Sequence, residues 1–230
     1  MNRSKILSFI FLSLGSFLFF ACKKNDPGNI LPSNIKCINA SPDAPAINFL
    51  DNNTSFAENL SYTDVSGYTL LAPVTSKLSI TDNSIPKTFN TFFTTLQPGS
   101  YYSLFAIDSF SKLNMTMVSD IYTIPSPDSS KIRFFNFSPG SSYITATLEN
   151  TLDTIFLGNR QFNDQNTFAA YVVFNEIPSG NYNLQLLTSD SAIISTPLNL
   201  SGGKVYTIYA KGFLEGTGIT ALGAALIEHN

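Results

Sequence analysis

The sequence predicts an all-β protein of two tandem antiparallel β-sandwich domains, and three observations predict it. Short runs rich in Thr, Ile, Val, Phe and Tyr are punctuated by Gly, Pro, Asn and Ser turns about every 8 to 12 residues. The stretch Ile35-Lys36-Cys37-Ile38-Asn39-Ala40-Ser41-Pro42 returns 97 residues later as Ile132-Arg133-Phe134-Phe135-Asn136-Phe137-Ser138-Pro139. Further on, Leu96, Gly99, Tyr102 and Ala106 match Leu200, Gly203, Tyr206 and Ala210 at a fixed offset of 104. A Gly turn feeding a strand whose inward positions shrink from aromatic to small fits the end of a sandwich or barrel core. With 13% charged residues and 43% hydrophobic ones, the composition suits strands and polar turns.

The first 21 residues stand outside the fold. Arg3 and Lys5 precede an apolar run from Ile6 to Phe20 that closes on Ala21-Cys22, the layout of a signal peptide. The run is short for a bilayer-spanning helix of about 20 residues, although an uncleaved anchor helix is the alternative. Leu18-Phe19-Phe20-Ala21-Cys22 resembles a bacterial lipobox, with Phe19 and Phe20 departing from the usual aliphatic and small residues. The resemblance implies cleavage before Cys22 and acylation of that cysteine with palmitate-type chains, and two or more chains hold a membrane durably. Residues 22–33, with Pro27, Gly28 and Pro32, then form a tether. The Lys23-Lys24-Asn25-Asp26 start resembles envelope lipoproteins of the Bacteroidota. It implies an outer-membrane location, at the cell surface or, alternatively, on the periplasmic face.

Cleavage leaves 209 residues with net charge about −5. Scattered Lys and Arg in an acidic chain make no nucleic-acid surface, which needs clustered positive charge. The two cysteines could pair in an oxidising compartment; if Cys22 carries lipid, Cys37 reads as a small buried apolar residue, with a reactive or pairing thiol as the alternative.

The first domain spans residues 34–125. Ile35 and Cys37 alternate with Lys36 as in a strand, and Ile38 breaks the alternation, which predicts burial on both faces. Asn39 to Pro45 stops the strand with two prolines and capping side chains. Strands are expected at Ala46 to Leu50, at Thr88 to Leu96, from Tyr101 after the Gln97-Pro98-Gly99-Ser100 turn, and at Met115 to Ile124. Tyr68 to Ala72 and Lys77 to Thr81 read as a hairpin, and Phe56 to Tyr62 is ambiguous. Pro125 to Ser130 is the linker, across which few buried contacts are expected.

The second domain spans residues 131–230. Strands are expected at Ile144 to Leu148, Thr154 to Leu157, Phe168 to Asn175, from Tyr182 after an Ile177-Pro178-Ser179-Gly180 turn, Ile193 to Leu200 and Val205 to Lys211. Ile219 to Ile227 is a last strand or an Ala-rich helix. Tyr171 is aligned with Tyr68.

Ala40-Ser41-Pro42-Asp43-Ala44-Pro45 and Tyr206-Thr-Ile-Tyr-Ala-Lys-Gly212 resemble the repeats of the DUF4397 family of bacterial secreted and lipid-anchored domains, over residues 34–230 as two copies. Departures are Asn39 and Asn136, where the family commonly has His, and Gly140-Ser141-Ser142 in place of Asp-Ala-Pro. The resemblance implies immunoglobulin-like sandwiches and an envelope location, and carries no chemistry.

No constellation in the sequence makes an active site. His229 is the only histidine and sits near a chain end, where chains fray; a dyad with Cys37 is rejected. No zinc spacing, EF-hand loop or phosphate-cradling Gly loop occurs, and no catalytic residue or cofactor is expected. Glu58 with Asp64, or Asp153 with Asp164, are conceivable glycosidase pairs, although turn capping is the plainer reading. Asp43 is weighed as a calcium ligand against a turn cap. Asp153-Thr154-Ile155 and Asp190-Ser191-Ala192 resemble an O-glycosylation sequon. Phe92, Phe93, Tyr101, Phe105, Phe110, Tyr143, Tyr171 and Tyr209 exceed what one inward face needs. They serve either a ligand surface or a contact between the domains. The expectation is a lipid-anchored envelope protein that binds a glycan or a protein without catalysis. A structural subunit of an outer-membrane complex and a glycan-acting hydrolase are the alternatives.

Overall fold

The computed structural model describes residues 30–82, 87–188 and 193–229; the leader, Cys22 and the tether up to residue 29 lie outside them. The first half contributes β1 (Ser33–Asn39), β2 (Ile47–Asp51), β3 (Thr54–Leu60), β4 (Thr69–Leu71), β5 (Thr75–Asp82), β6 (Thr88–Thr95), β7 (Tyr101–Ile107) and β8 (Asn114–Ser119). The second contributes β9 (Ser129–Asn136), β10 (Tyr143–Glu149), β11 (Thr154–Gln161), β12 (Asn175–Pro178), β13 (Gly180–Thr188), β14 (Ile193–Leu200), β15 (Val205–Lys211) and β16 (Gly223–Glu228).

Four four-stranded sheets result: β4-β1-β7-β8 and β3-β2-β5-β6 in the first half, β12-β9-β15-β16 and β11-β10-β13-β14 in the second. Shifting each strand number by eight converts one half into the other, strand order included, so the repeat seen in the sequence is a repeat of topology. Each half is a sandwich-like domain with its own core. Ile35, Cys37, Phe49, Leu78, Ile80 and Leu104 fill the first. Ile132, Phe134, Ile144, Leu184, Leu186 and Ile208 fill the second.

The repeated motifs have local causes. Gly99 and Gly203 sit at φ +69° and +75°, in the left-handed region where a Cβ is costly. Their amides bond the backbone at the start of the opening strands, Gly99 to Pro32, just before β1, at 3.1 Å and Gly203 to Ser129, the first residue of β9, at 2.8 Å. The motif tyrosines reach back to the same turns: Tyr102 Oη accepts the amide of Gln97 at 3.3 Å and Tyr206 Oη that of Ser201 at 3.2 Å. The Asn-x-Ser-Pro stop is also explained. Asn39 and Asn136 are fully buried; each accepts the amide two residues on and donates to the end of the third strand, Leu60 O at 3.0 Å and Arg160 O at 3.1 Å.

Several expectations are corrected. β1 pairs with β7, and β9 with β15, in parallel, so the sheets are mixed rather than purely antiparallel. Both members of each pair start at the Gly-turn end, and periodicity says nothing about which strands become neighbours. β4 and β5 are no hairpin: β4 pairs with β1 while β5 lies between β2 and β6, with Pro73 in the crossing between sheets. Phe56 to Leu60 is strand. The run 168–175 holds a 3-10 turn, Ala169–Val172, and the segment read as a turn at 177–178 completes strand β12. β8 stops at Ser119, and the Ala-rich terminal segment is strand β16. Matching the β1–β4 and β9–β12 registers aligns Tyr68 with Phe174, not with Tyr171.

The largest correction concerns the linker. The two inner sheets pack on each other through a third core of Ile38, Phe105, Ile107, Val118, Phe135, Phe137, Tyr209 and Ile227. β1, β7, β9 and β15 are therefore buried on both faces, as the break of alternation at Ile38 predicts; Cys37 and Ile38 are both fully buried. Each such large side chain contributes about 1.5–3 kcal/mol by leaving water. The halves form one four-layered stack.

Candidate functional site

The polar centre of the stack is built from equivalent positions in the two copies. Lys36 and Arg133 occupy one pair, Ser103 and Thr207 a second, Tyr68 and Phe174 a third. Asp120 and His229, each directly after the last strand of its inner sheet, form a fourth. Lys36 Nζ donates to Glu228 O at 2.9 Å and Arg133 Nη1 to Ser119 O at 2.8 Å, each cation reaching the equivalent carbonyl of the other half. Each also covers an equivalent ring, Lys36 over Tyr68 at 4.5 Å and Arg133 over Phe174 at 4.1 Å. This is the self-complementary logic of a two-fold interface carried out within one chain.

Divergence at the fourth pair closes a ring of hydrogen bonds. Arg133 Nε donates to Thr207 Oγ1 at 2.8 Å, and Thr207 Oγ1 to His229 Nε2 at 2.7 Å. His229 Nδ1 donates to Tyr68 Oη at 3.2 Å, and Tyr68 Oη to Asp120 Oδ2 at 2.8 Å. Asp120 Oδ1 accepts from Arg133 Nη2, and its Oδ2 also accepts Ser103 Oγ at 2.8 Å. With the imidazole neutral, as its burial favours, this order places its proton on Nδ1. Burial pushes the His229 pKa down to about 3, with Asp120 opposing and Arg133 and Lys36 reinforcing the shift. The Asp120 and Arg133 side chains are 0% and 1% exposed, so the ring is a clamp with no access for a substrate.

An open site arises where the copies differ. The connection from β3 to β4 is residues 61–68, whereas that from β11 to β12 is residues 162–174 and holds the 3-10 turn. Arg160 takes the place of Leu60, each supplying the carbonyl bonded by its repeat's buried asparagine. The Arg160 guanidinium donates to Asp164 Oδ1 at 2.8 Å and to Tyr171 O at 3.2 Å. It lies 3.6 Å from the centre of the Tyr171 ring, which fixes that ring as a wall. Beneath, Arg133 Nη1 holds Val172 O at 3.3 Å, tying the loop to the clamp. The result is a cavity of about 350 Å³ bounded by β9, β11, the 162–174 connection and Asn175 at the start of β12. Phe156, Tyr171 and Val173 supply its apolar surface, and Asn159 and Asn175 its amides. Phe156 is 65% exposed, and Phe168 meets Tyr171 edge-on at 5.2 Å. Rings beside amide donors in a concavity can hold a polar ligand that has apolar faces.

The residues singled out in the sequence scatter. His229 is buried in the ring rather than frayed, and Cys37 lies in the first core, where burial pushes its thiol pKa up. Asp43 caps the amide of Phe110 at 2.7 Å, Asp64 that of Ser61 at 2.9 Å and Asp153 that of Thr154 at 2.7 Å. Asp164 is ion-paired with Arg160, and Glu58 is exposed. No group of three or more His, Cys, Asp or Glu among the described residues could hold a metal. Of the aromatics, Phe105 and Tyr209 join the core between the halves, and Phe92 and Phe110 pack on the first core. Phe93, Tyr101 and Tyr143 are exposed, and Tyr171 lines the cavity. Asp190-Ser191-Ala192 lies outside the described residues. The sequence reading missed Phe156, Arg160, Asp120 and Arg133; the longer connection between the third and fourth strands of the second copy is the signal that points to the first two.

A family model described as a domain of unknown function, DUF4397, matches residues 33–147, which covers the first half and β9 and enters β10. The chain belongs to the DUF4397 family. Two solved structures align with most of this DUF4397 chain at low similarity. One is a CBM26 carbohydrate-binding module from Eubacterium rectale Amy13K in complex with maltoheptaose. It is 8% identical with TM-score 0.27, over 86% of this chain and 97% of that one. The other is a candidate cell adhesion protein from Bacteroides ovatus, 8% identical with TM-score 0.24, over 85% of this chain and 95% of that one. At these scores neither likeness bears on what the DUF4397 chain binds. No curated protein matches it.

Proposed function

We propose that this chain is a non-catalytic glycan-binding protein of the cell envelope. Acyl chains on Cys22 hold it to the outer membrane on the residue 22–33 tether, facing the cell surface. The sandwich of residues 34–125 is the platform, and the sandwich of residues 131–230 carries the binding cavity. The observation that carries the reading is the concavity lined by Tyr171 and Phe156 beside Asn159 and Asn175. Sugar rings offer apolar faces for rings and hydroxyls for amides, and no reacting group is needed. A structural subunit of an outer-membrane complex is the second reading, favoured by Phe168 and Val173, 63% and 52% exposed beside the cavity.

Calorimetric titration of the mature chain with a panel of soluble polysaccharides tests the proposal. Tyr171→Ala is expected to weaken the responding glycan about tenfold, the scale of a lost aromatic anchor, with Phe93→Ala as a control that leaves affinity unchanged. Binding to no glycan, or equal affinity for the Tyr171→Ala chain, rejects it.

A further inference from the structure

The second sandwich has another concavity, on the outer face of β11-β10-β13-β14. It is a groove of about 820 Å³ whose outward residues are Glu149, Asn181, Asn183, Pro197 and Asn199. The register places these in rows. Asn183 stands opposite Glu149 on one side and Pro197 on the other, and Asn181 opposite Asn199. Asn199 Nδ2 donates to Asn181 Oδ1 at 2.7 Å, which sets the orientation of both amides before any ligand arrives. In the neighbouring row Phe156, Thr147, Gln185 and Ser195 stand opposite one another in turn. Directly paired residues share a face of the sheet, so Phe156, which lines the cavity beside Tyr171, stands on the same face as the groove. From Phe156 on β11 to Asn199 on β14 is three strand spacings, about 14 Å across the sheet.

Charge decides the chemistry of what fits. Glu149 is the charged residue among these outward positions. The arginines near them are engaged: Arg160 with Asp164 and Arg133 with Asp120, both pairs buried. The described lysines of this half belong to the other sheet and its turns, Lys131 on β9, Lys211 on β15 and Lys204 just before β15. A carboxylated or sulfated polymer would meet Glu149 with no cation to compensate.

We propose that the ligand is an internal stretch of a neutral linear polysaccharide, laid across the outer sheet from the Tyr171–Phe156 cavity to the Asn183–Asn199 groove. This rests on the glycan reading of the cavity and adds length and charge to it. Stacking anchors one end and amide hydrogen bonds to hydroxyls hold the other, so a short oligosaccharide fills only the cavity.

The test uses the mature chain against a soluble neutral glucan, a mannan, a uronate polymer and short oligomers of whichever neutral polymer binds. Asn183→Ala with Asn199→Ala is expected to weaken the long polymer about tenfold, the loss of one or two hydrogen bonds, and to leave the short oligomer unchanged. Tyr171→Ala weakens both. Unchanged circular dichroism certifies the fold of each variant. If the polymer binds and the double variant holds it as tightly as the parent, the groove proposal is overturned while the cavity reading stands. Equal or tighter binding of the uronate polymer also overturns it. Binding to no polymer overturns both readings together.

Discussion

Asp120→Ala removes the acceptor at the centre of the stack. Arg133 then keeps a buried charge with no counter-ion, and the hydroxyls of Tyr68 and Ser103 lose their shared acceptor. Breaking a buried pair by deleting one member costs about 3–5 kcal/mol, against a total stability of about 5–15 kcal/mol for a folded domain. Urea unfolding of the mature chain should show the midpoint fall accordingly. At about 2–4 °C per kcal/mol for a chain of this size, melting should drop by about 10 °C. Asp120→Ala with Arg133→Met should recover much of the loss, because it removes the orphaned charge while keeping apolar volume against Phe135 and Phe174. A loss below about 1 kcal/mol for the single variant, or a double variant no more stable than the single, would refute the claim that this ring couples the halves.

His229 titrates the same centre. Its folded pKa lies near 3, against an unfolded value near 6.5. The unfolded chain thus binds the extra proton first, and stability contributed by the neutral ring is lost as pH falls below about 6.5. Between pH 6 and 5, above the range of most unfolded carboxylates, the slope should approach about 1.4 kcal/mol per unit; His229→Asn should flatten it, and an equal slope in both proteins would remove the assignment. Proteolytic nicking between residues 121 and 128, where Ile121 and Ile124 are exposed, should leave two fragments that co-elute on size exclusion in native buffer and part only in denaturant. Separate elution of the fragments would contradict the shared core. Gly203→Ala should cost about 1–2 kcal/mol, the penalty of a Cβ in the left-handed region, read by thermal melting. Cys22→Ser should end labelling by a fatty-acid probe and move the protein to soluble fractions, whereas persistent membrane retention would dismiss the anchor.

The turn and stop motifs were legible because their causes are local. A positive φ at Gly99 and Gly203, a tyrosine hydroxyl reaching back five residues to an amide, and Asn39 accepting the amide of Ser41 all act over a few positions. The candidate cavity was half legible. Tyr171 stood out as an aromatic without an evident core role, yet Arg160, which positions it, reads as an ordinary basic residue on a strand. Alignment of Tyr68 with Tyr171 failed because the second copy carries a longer connection there, and only the strand register shows that Phe174 holds the equivalent place.

By itself the chain dictated an all-β unit built twice, because alternation, turn chemistry and internal repetition are short-range properties that each copy must satisfy alone. Which strands would lie side by side was settled by tertiary structure, as was the meeting of the two inner sheets and the pairing of Asp120 with Arg133, Tyr68 and His229. Partners drawn from both halves leave no periodic trace in either. A basic residue between buried neighbours, as at Lys36 and Arg133, looks like a wet strand position until a ring of its own half covers it and the opposing sheet supplies the carbonyls and carboxylate that let it be buried.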